Sequence, residues 1–434
     1  MSSHHPAHVS VAAHRAAIEE LLGVAPVERV PLDHRACGRH LAADLVARDD
    51  LPRFDNSAMD GYAVRLAPAR GDRSAAPSAT DDTAGDAAGD TAGDTVGDTV
   101  TPTQTFAVVG DVAAGDAPKV AVGPGEAVRV MTGARLPEGT QSVVPVERTD
   151  AARTGPAPGS VTVTGRVDPG RHVRLRGEDL RAGDLVAAAG TRVTAGVLAL
   201  ARSAGCVEAE LRARTSVAVV ATGAELTGPG LDPGPGGIHE SNSGMVAALV
   251  EAAGCVLARV EICPDEPDRL RALLDGLDGD PGVDLVVTTG GVSAGAYEVV
   301  RQVCSPLPTF DFVHLAMQPG GPQGLGCYGS TPVVCLPGTP VGAFVAFHVL
   351  VRPGLDRRHG APAARAGRAA YVGKTRHTRA GRVQFVTSVL HDDGTVTAPD
   401  ARHLTALAAA NCLIEVPEAV DELVEGDLVV VHPL

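Results

Sequence analysis

Three carboxylates, Asp60, Glu225 and Glu240, lie in stretches that read as loops, where they could hold a cation or polarise a reacting group. Asp60 belongs to Leu51–Val64, LPRFDNSAMDGYAV, which mixes Pro52, Asn56, Asp60 and Gly61 with apolar residues. The apolar positions follow neither a helical nor a strand period, so the segment reads as irregular backbone shaped for a purpose. The Asp-Gly pair favours a tight turn with its carboxylate outward, and an ordinary surface turn is the competing reading. Glu225 ends VVATGAEL, and Glu240 lies in IHESN at the start of a helix. Carboxylates beside a phosphate repel it unless a cation stands between them, a task Mg²⁺ performs with few protein ligands. Glu225 reads equally as a helix-capping carboxylate.

Two glycine-rich loops supply the other half of such chemistry. Thr288–Gly295, TTGGVSAG, directly follows the strand DLVV, and its glycines let backbone amides approach an anion. One such turn alone is as readily a packing solution. Leu336–Gly342, LPGTPVG, repeats the arrangement, with Thr339 suited to the N-cap and Pro340 to the first helical position. Both loops end strands of one sheet, so their amides should converge. The pair predicts a phosphate-bearing ligand.

The positioning elements follow from periodicity. Val9–Leu22 reads as an amphipathic helix, and Arg35–Asp44 as a further polar, helix-like stretch. Short Val-rich runs between Phe106 and Arg212, separated by Gly/Pro turns, predict β-rich modules with a short helix near Val193–Ala204. From Arg214 to Pro353 the pattern changes. VAVVATG, VLARVEI, DLVVTTGG and TPVVCLPG alternate with helices (one beginning at Ser241 or Asn242), which specifies a parallel sheet with right-handed crossovers. Sites in such sheets form where loops leave the carboxyl ends of the strands. Gly367–Leu434 reads as short strands joined by Gly/Asp turns, a small barrel-like β domain. The expected fold class is therefore multidomain α/β plus β. Residues 7–50 and 151–213 would form an elongated N-terminal domain, with an inserted β-rich domain at 51–150. Residues 214–358 would form the parallel-sheet domain, and 365–434 the C-terminal β domain.

Composition narrows the function. With 37 Lys+Arg against 52 Asp+Glu, the net charge of −15 argues against a nucleic-acid partner. Residues 71–103 repeat Gly-Asp with few apolar residues, which predicts a disordered acidic loop rather than a cation-binding repeat. Cys37, Cys206, Cys255, Cys263, Cys304, Cys327, Cys335 and Cys412 form no Cys-x-x-Cys pair and read as small buried hydrophobes. His4, His5 and His8 read as a frayed polar terminus. The absence of a signal-like or bilayer-length apolar run predicts a soluble, cytoplasmic protein with no membrane partner.

Taken together, the motifs resemble the molybdopterin molybdenumtransferases, the family that includes the E domain of gephyrin. LPRFDNSAMDGYAV, VRVMTGARLPEG, RGEDLRAGD, VVATGAEL, ESNSGM, TTGGVSAG, MQPGGPQGLG and LPGTPVGAFVAF occur in the family's order. The C-terminal LTALAAANCLIEVP looks like its β domain. The resemblance implies insertion of molybdate into adenylylated molybdopterin, with Mg²⁺ and release of AMP. It also implies a homodimer with sites shared between subunits, and contacts with the adenylyltransferase and molybdoenzymes. Carried over by motif, Asp60, Asp179 and Glu225 become catalytic candidates, and Glu225, Glu240 and Glu298 metal ligands. Thr132, Gly133, Thr222, Gly223, Ser241, Asn242, Gly290, Gly291, Ser293 and Gly295 become ligand-binding candidates. Gln318, Pro319, Gly320, Pro337, Gly338, Thr339 and Pro340 complete that set.

The chain departs from the family at one segment. Met317–Pro322, MQPGGP, carries Gln318 and Gly321 where the family usually has lysines, and neither replaces a point charge. Gln318 can still donate a hydrogen bond, Gln323 lies nearby, and Arg129, Arg135, Arg174 or Arg176 could compensate. Ala296 and Glu298 also stand where two aspartates are common, and Glu240 where the family often has Asp. Two readings follow: a divergent working insertase, or a paralogue that binds molybdopterin species or partner enzymes without turnover. A third reading is the upstream adenylyltransferase, whose single domain resembles Arg214–Pro353; the flanking modules argue against it.

Overall fold

A computed structural model of the chain describes residues 9–67, 103–293, 295, 298–399 and 404–434. Most of the acidic segment 71–103, together with His4, His5, His8 and Ala296, lies outside the described residues. The chain divides into two compact units. One comprises residues up to Leu45, Ala187–Leu200 and Val207–Leu434; the other comprises Val46–Val186 and Ala201–Cys206.

In the larger unit a six-stranded sheet runs in the order Val256–Cys263, Ser216–Thr222, Leu285–Thr289, Thr331–Leu336, Pro322–Tyr328, Asp311–His314. The first four strands are parallel. Ser216–Thr222 and Leu285–Thr289 are buried on both faces, which is why they read as continuous apolar runs. Val217, Val219, Leu285, Val287, Val334 and Leu336 enter one core. Ala218, Val220, Val286, Val333 and Cys335 enter the opposite one, the period-two alternation of a pleated sheet. The last two strands are antiparallel, not parallel as the alternation predicts. Only Gly329 and Ser330 separate Tyr328 from Thr331, so the connection is a hairpin too short for a crossover.

Helix Val11–Leu22 is capped by Ser10, whose side chain accepts from the Ala13 amide. It buries His14, Ile18 and Leu22 at helical spacing. At Gly354 a Cβ would stand 2.9 Å from Ile18 Cγ2, so this glycine lets the two helices approach. The expected helix at Arg35–Asp44 is instead one tight turn, His34–Ala36, followed by bridges from His40 to Arg192 and Leu41 to Leu211. Gly38, at φ +85°, ends the turn and sends the chain into extended pairing.

The C-terminal strands close into a five-stranded barrel: Gly367–Tyr371, Thr395–Thr397, Val383–Leu390, Cys412–Val416 and Leu428–Pro433. Closure comes from Val383–Leu390, which pairs with both Thr395–Thr397 and Cys412–Val416. Met317–Gln318 adds to it in parallel beside Val383–Gln384.

The smaller unit holds a five-stranded sheet ordered Ser142–Pro145, Gly61–Val64, Glu126–Val130, Thr103–Val112, Ser160–Thr164. Tyr62, Phe106 and Val161 pack on one face, and Val112, Val128 and Val143 on the other. All eight cysteines are free, and burial raises the thiol pKa of Cys255 and Cys304 to about 12. Among the described residues no helix is long and apolar enough to cross a membrane.

Three histidines of the larger unit set its acid stability. Burial lowers His14, His348 and His359 from 6.5 to about 4. Between those values the unfolded chain binds protons that the native state refuses, so stability falls as pH drops from about 6.5 towards 4. Each histidine contributes a slope approaching about 1 kcal/mol per pH unit within that window. Denaturant melts between pH 7.5 and 4.5 should record the loss, and His14→Leu should remove about a third of it. A pH-independent midpoint would refute this account.

Candidate functional site

The larger unit contains a cavity of about 670 Å³ at the carboxyl ends of its parallel strands. Thr222 and Gly223 enter it from the strand Ser216–Thr222, Gly290 and Gly291 from Leu285–Thr289, and Pro337 and Gly338 from Thr331–Leu336. The two glycine loops meet there: a Cβ at Gly338 would lie 3.3 Å from Gly290 Cα. Gly290 adopts φ +90°, and a Cβ on it would fall 2.4 Å from Thr222 O, so only glycine fits. Asn242 Nδ2 donates to Gly338 O at 2.7 Å and ties the following helix to the second loop. Ser241, Ser293, Gly295, Gly320, Thr339 and Pro340 also line the cavity. Thr339 occupies the N-cap position of Pro340–Ala346, but its side chain makes no capping bond.

Four carboxylates, Glu225, Glu240, Asp265 and Glu298, line this cavity, and no lysine or arginine does among the described residues. Glu240 is engaged locally, accepting from the Ser243 amide at 2.7 Å and from the Ser243 hydroxyl. Glu298 Oε2 accepts from the Ser293 amide at 2.9 Å, closing the TTGGVSAG loop. Asp265, which the sequence reading missed, accepts from the Ala224 amide at 3.1 Å. Burial raises its pKa, and the charges of Glu225 and Glu298 raise it further. Its place is set by the register of Thr222 beside Cys263, information carried by sheet order rather than by local sequence.

Gln318 and Pro319 open onto a second cavity of about 330 Å³, which shares Thr339 and Pro340 with the first. Gln323 is fully buried and donates to Gly320 O at 2.7 Å, so it buttresses the MQPGGP turn. At Gly321 a Cβ would stand 2.6 Å from His314 Nε2, which leaves no room for a lysine there without moving His314.

In the smaller unit, Asp60 and Thr132 come together. Asp60 Oδ1 accepts from the Thr132 amide at 2.6 Å and its hydroxyl at 2.8 Å. These bonds, the amide's foremost, hold the Asp60 carboxyl below its ordinary pKa. Gly133 beside Thr132 adopts φ +78°. Asp179 accepts from Arg174 at 2.5 Å, and Arg174 is the strand partner of Asn56 in the same motif. Arg129 pairs with Asp111, Arg176 with Asp50, and Arg135 lies over the Phe54 ring. These are the four arginines that the sequence offered as compensating cations; three already hold carboxylates of their own unit.

Two loops of converging amides and hydroxyls beside uncompensated carboxylates can bind a phosphorylated ligand through a bridging cation. A protein-only metal cage is absent: no three His, Cys, Asp or Glu side chains close on one point among the described residues. Mg²⁺ needs only one or two carboxylates when substrate phosphates and waters fill its shell.

Comparison with known proteins agrees with this architecture. Family models match for the MoeA N-terminal region (domain I and II) over residues 9–205, a probable molybdopterin binding domain over 218–357, and the MoeA C-terminal region (domain IV) over 369–434. Molybdopterin molybdenumtransferase 2 of Mycobacterium tuberculosis H37Rv is 39% identical over 428 residues, covering 96% of this chain and 97% of its own length. Molybdopterin molybdenumtransferase of Haemophilus influenzae is 30% identical, covering 75% of this chain and 71% of its own length. The crystal structure of the molybdopterin biosynthesis MoeA protein from Pyrococcus horikoshii superposes with a TM-score of 0.73 at 26% identity, covering 98% of each chain. The three domains in order, and the near full-length likeness, show that the chain belongs to the molybdopterin molybdenumtransferase family of transferases.

Proposed function

We propose that this chain inserts molybdate into adenylylated molybdopterin with Mg²⁺ and releases AMP. The observation that carries the reading is the 670 Å³ cavity, in which two amide-rich loops face Glu225, Asp265 and Glu298. The loops hold the pyrophosphate of the substrate, with Asn242 fixing the position of Gly338. Glu225 and its neighbouring carboxylates would hold Mg²⁺, which would supply charge neutralisation at the pyrophosphate. Burial, with a smaller contribution from the charges of Glu225 and Glu298, raises the Asp265 pKa, and a cation there would offset that crowding. Glu225, which accepts no hydrogen bond among the described residues, would be the first ligand, with Glu240, Asp265 and Glu298, each already accepting a backbone amide, beside it. The reaction then needs positioning and charge neutralisation more than a strong base.

The working form in this reading is a cytoplasmic homodimer in which the Asp60 and Thr132 pair of one subunit completes the cavity of the other. Val256, Val260 and Ile262, 43%, 40% and 37% exposed on the edge strand of the large sheet, support a pairing surface. The division into domains at 7–50 with 151–213, 51–150, 214–358 and 365–434 belongs to the same proposal.

A reconstituted assay with adenylylated molybdopterin, Mg²⁺ and molybdate tests it. Molybdate-dependent AMP release is the expected result. Tight binding of the pterin without any AMP release would favour the non-catalytic paralogue, a reading that the missing lysines of Met317–Pro322 keep in view.

A further inference from the structure

A further cavity of about 450 Å³ lies in the larger unit, where helix Val11–Leu22, the helical stretch His348–Arg357 and the barrel meet. Its charge is opposite to that of the carboxylate cavity. Among the described residues, Arg15, Arg352, Arg357 and Arg365 line it against Glu19 and Asp356. Both carboxylates are already paired: Arg352 Nε donates to Asp356 Oδ1 at 2.7 Å, and Arg357 Nη1 stands 3.5 Å from Glu19 Oε2. Arg15 and Arg365 form no ion pair among the described residues. Arg15 Nε donates to Val349 O at 2.9 Å, which anchors the side chain while its two Nη groups make no bond among the described residues. Glu415 nearby is engaged by His432 Nε2 at 2.6 Å. In a chain of net charge −15, such an excess of cations marks an anion site. The cavity also has an apolar floor, since Val349, Phe385 and Leu413 of the core line it. His348 lines it too, and its Nε2 is buried without a hydrogen-bond partner among the described residues. A buried ring nitrogen left unpaired is costly, and a ligand hydroxyl would relieve it.

We propose that this cavity is a separate ligand site for a phosphate monoester with a hydroxyl-bearing organic body. Arg15 and Arg365 grip the phosphate, the body lies on Val349, Phe385 and Leu413, and its hydroxyl bonds His348 Nε2. Two guanidinium groups free of carboxylates match the nearly double charge of a phosphate monoester at neutral pH, and their forks match its oxygens. A monocarboxylate would leave one of them unmatched. The inference is independent of the function proposed above, because no residue of this cavity lines the carboxylate cavity. A ligand seated here touches helix Val11–Leu22 and the barrel at once, so its binding should also raise the melting temperature.

Calorimetric titration of the full chain with 4-hydroxyphenyl phosphate, in EDTA, tests the assignment. Without Mg²⁺ the carboxylate cavity repels the probe, so the heat reports the arginine-lined one. Arg15→Gln should weaken binding by about 10-fold or more, the worth of a charge-assisted hydrogen bond, and Arg15→Lys should retain part of it. Arg365 lies on an exposed segment, so Arg365→Gln should weaken binding by about 3-fold with the melting temperature of the free chain unchanged. Phenyl phosphate should bind about 5-fold less tightly, and His348→Phe should erase that difference. No binding by the unmodified chain at about 10 mM probe would overturn the site, as would affinities of Arg15→Gln and Arg365→Gln both within about 2-fold of the unmodified chain. Equal affinity of the unmodified chain for the two probes would overturn the contact with His348.

Discussion

Glu225→Gln should lower molybdate-dependent AMP release by about 100-fold or more while leaving the melting temperature within about 1 °C. The side chain is exposed at the cavity and has no hydrogen-bond partner among the described residues, so the fold does not depend on its charge. A carboxylate kept in an acidic cavity without a structural partner costs repulsion; the raised pKa of Asp265, due first to burial, carries a smaller contribution from the charge of Glu225. Replacing it with a neutral isostere removes that repulsion and lowers Asp265 towards its ordinary value. On the function proposed above, the same change would remove the first candidate ligand for Mg²⁺, and turnover would fall because the pyrophosphate would no longer be neutralised. Glu225→Asp should recover part of the rate at raised Mg²⁺. Steady-state assays across a Mg²⁺ series check this, and an unchanged rate in Glu225→Gln would remove the carboxylate from the reaction.

Gly61→Ala destabilises the smaller unit by about 3 kcal/mol or more, which lowers its melting temperature by roughly 6–12 °C. An added Cβ would stand 2.0 Å from Val144 O and 3.0 Å from Pro145 Cα. Both belong to the neighbouring strand, registered against Gly61 and Tyr62, so relief requires opening the ladder itself. Asp60, one residue earlier, behaves oppositely. Its carboxylate is exposed and, among the described residues, bonds only Thr132, so Asp60→Asn should abolish activity while shifting stability by less than about 0.5 kcal/mol. Calorimetric melts of the two variants separate these roles. Gly61→Ala melting like the unmodified chain would show that the turn is less constrained than its geometry demands.

The contrast explains what the residues revealed in advance. Gly290, Gly291 and Gly338 announced themselves because close backbone approach demands glycine wherever it occurs, and the strands before them are uninterrupted apolar runs. Asp60 with Thr132 was reachable through motif likeness, although 72 residues separate them in the chain. Asp265 was not legible, because ICPDEPDRL reads locally as a helix start. Only the pairing of Val256–Cys263 beside Ser216–Thr222 brings it to the Gly223 loop. Arg35–Asp44 misled in the other direction. Its helix-compatible composition loses to the positive φ of Gly38 and to long-range bridges with Arg192 and Leu211. Local signals identified the loops, while register decided which carboxylates share them.

The central claim is that the carboxylate-lined cavity couples release of AMP to capture of molybdenum. Measuring both products in one single-turnover reaction, AMP by chromatography and protein-bound molybdenum by elemental analysis, addresses it directly. The account predicts equimolar AMP and incorporated molybdenum, both dependent on molybdate and on Mg²⁺. AMP release that proceeds equally without molybdate, or folded protein that binds adenylylated molybdopterin and yields neither product, would contradict it.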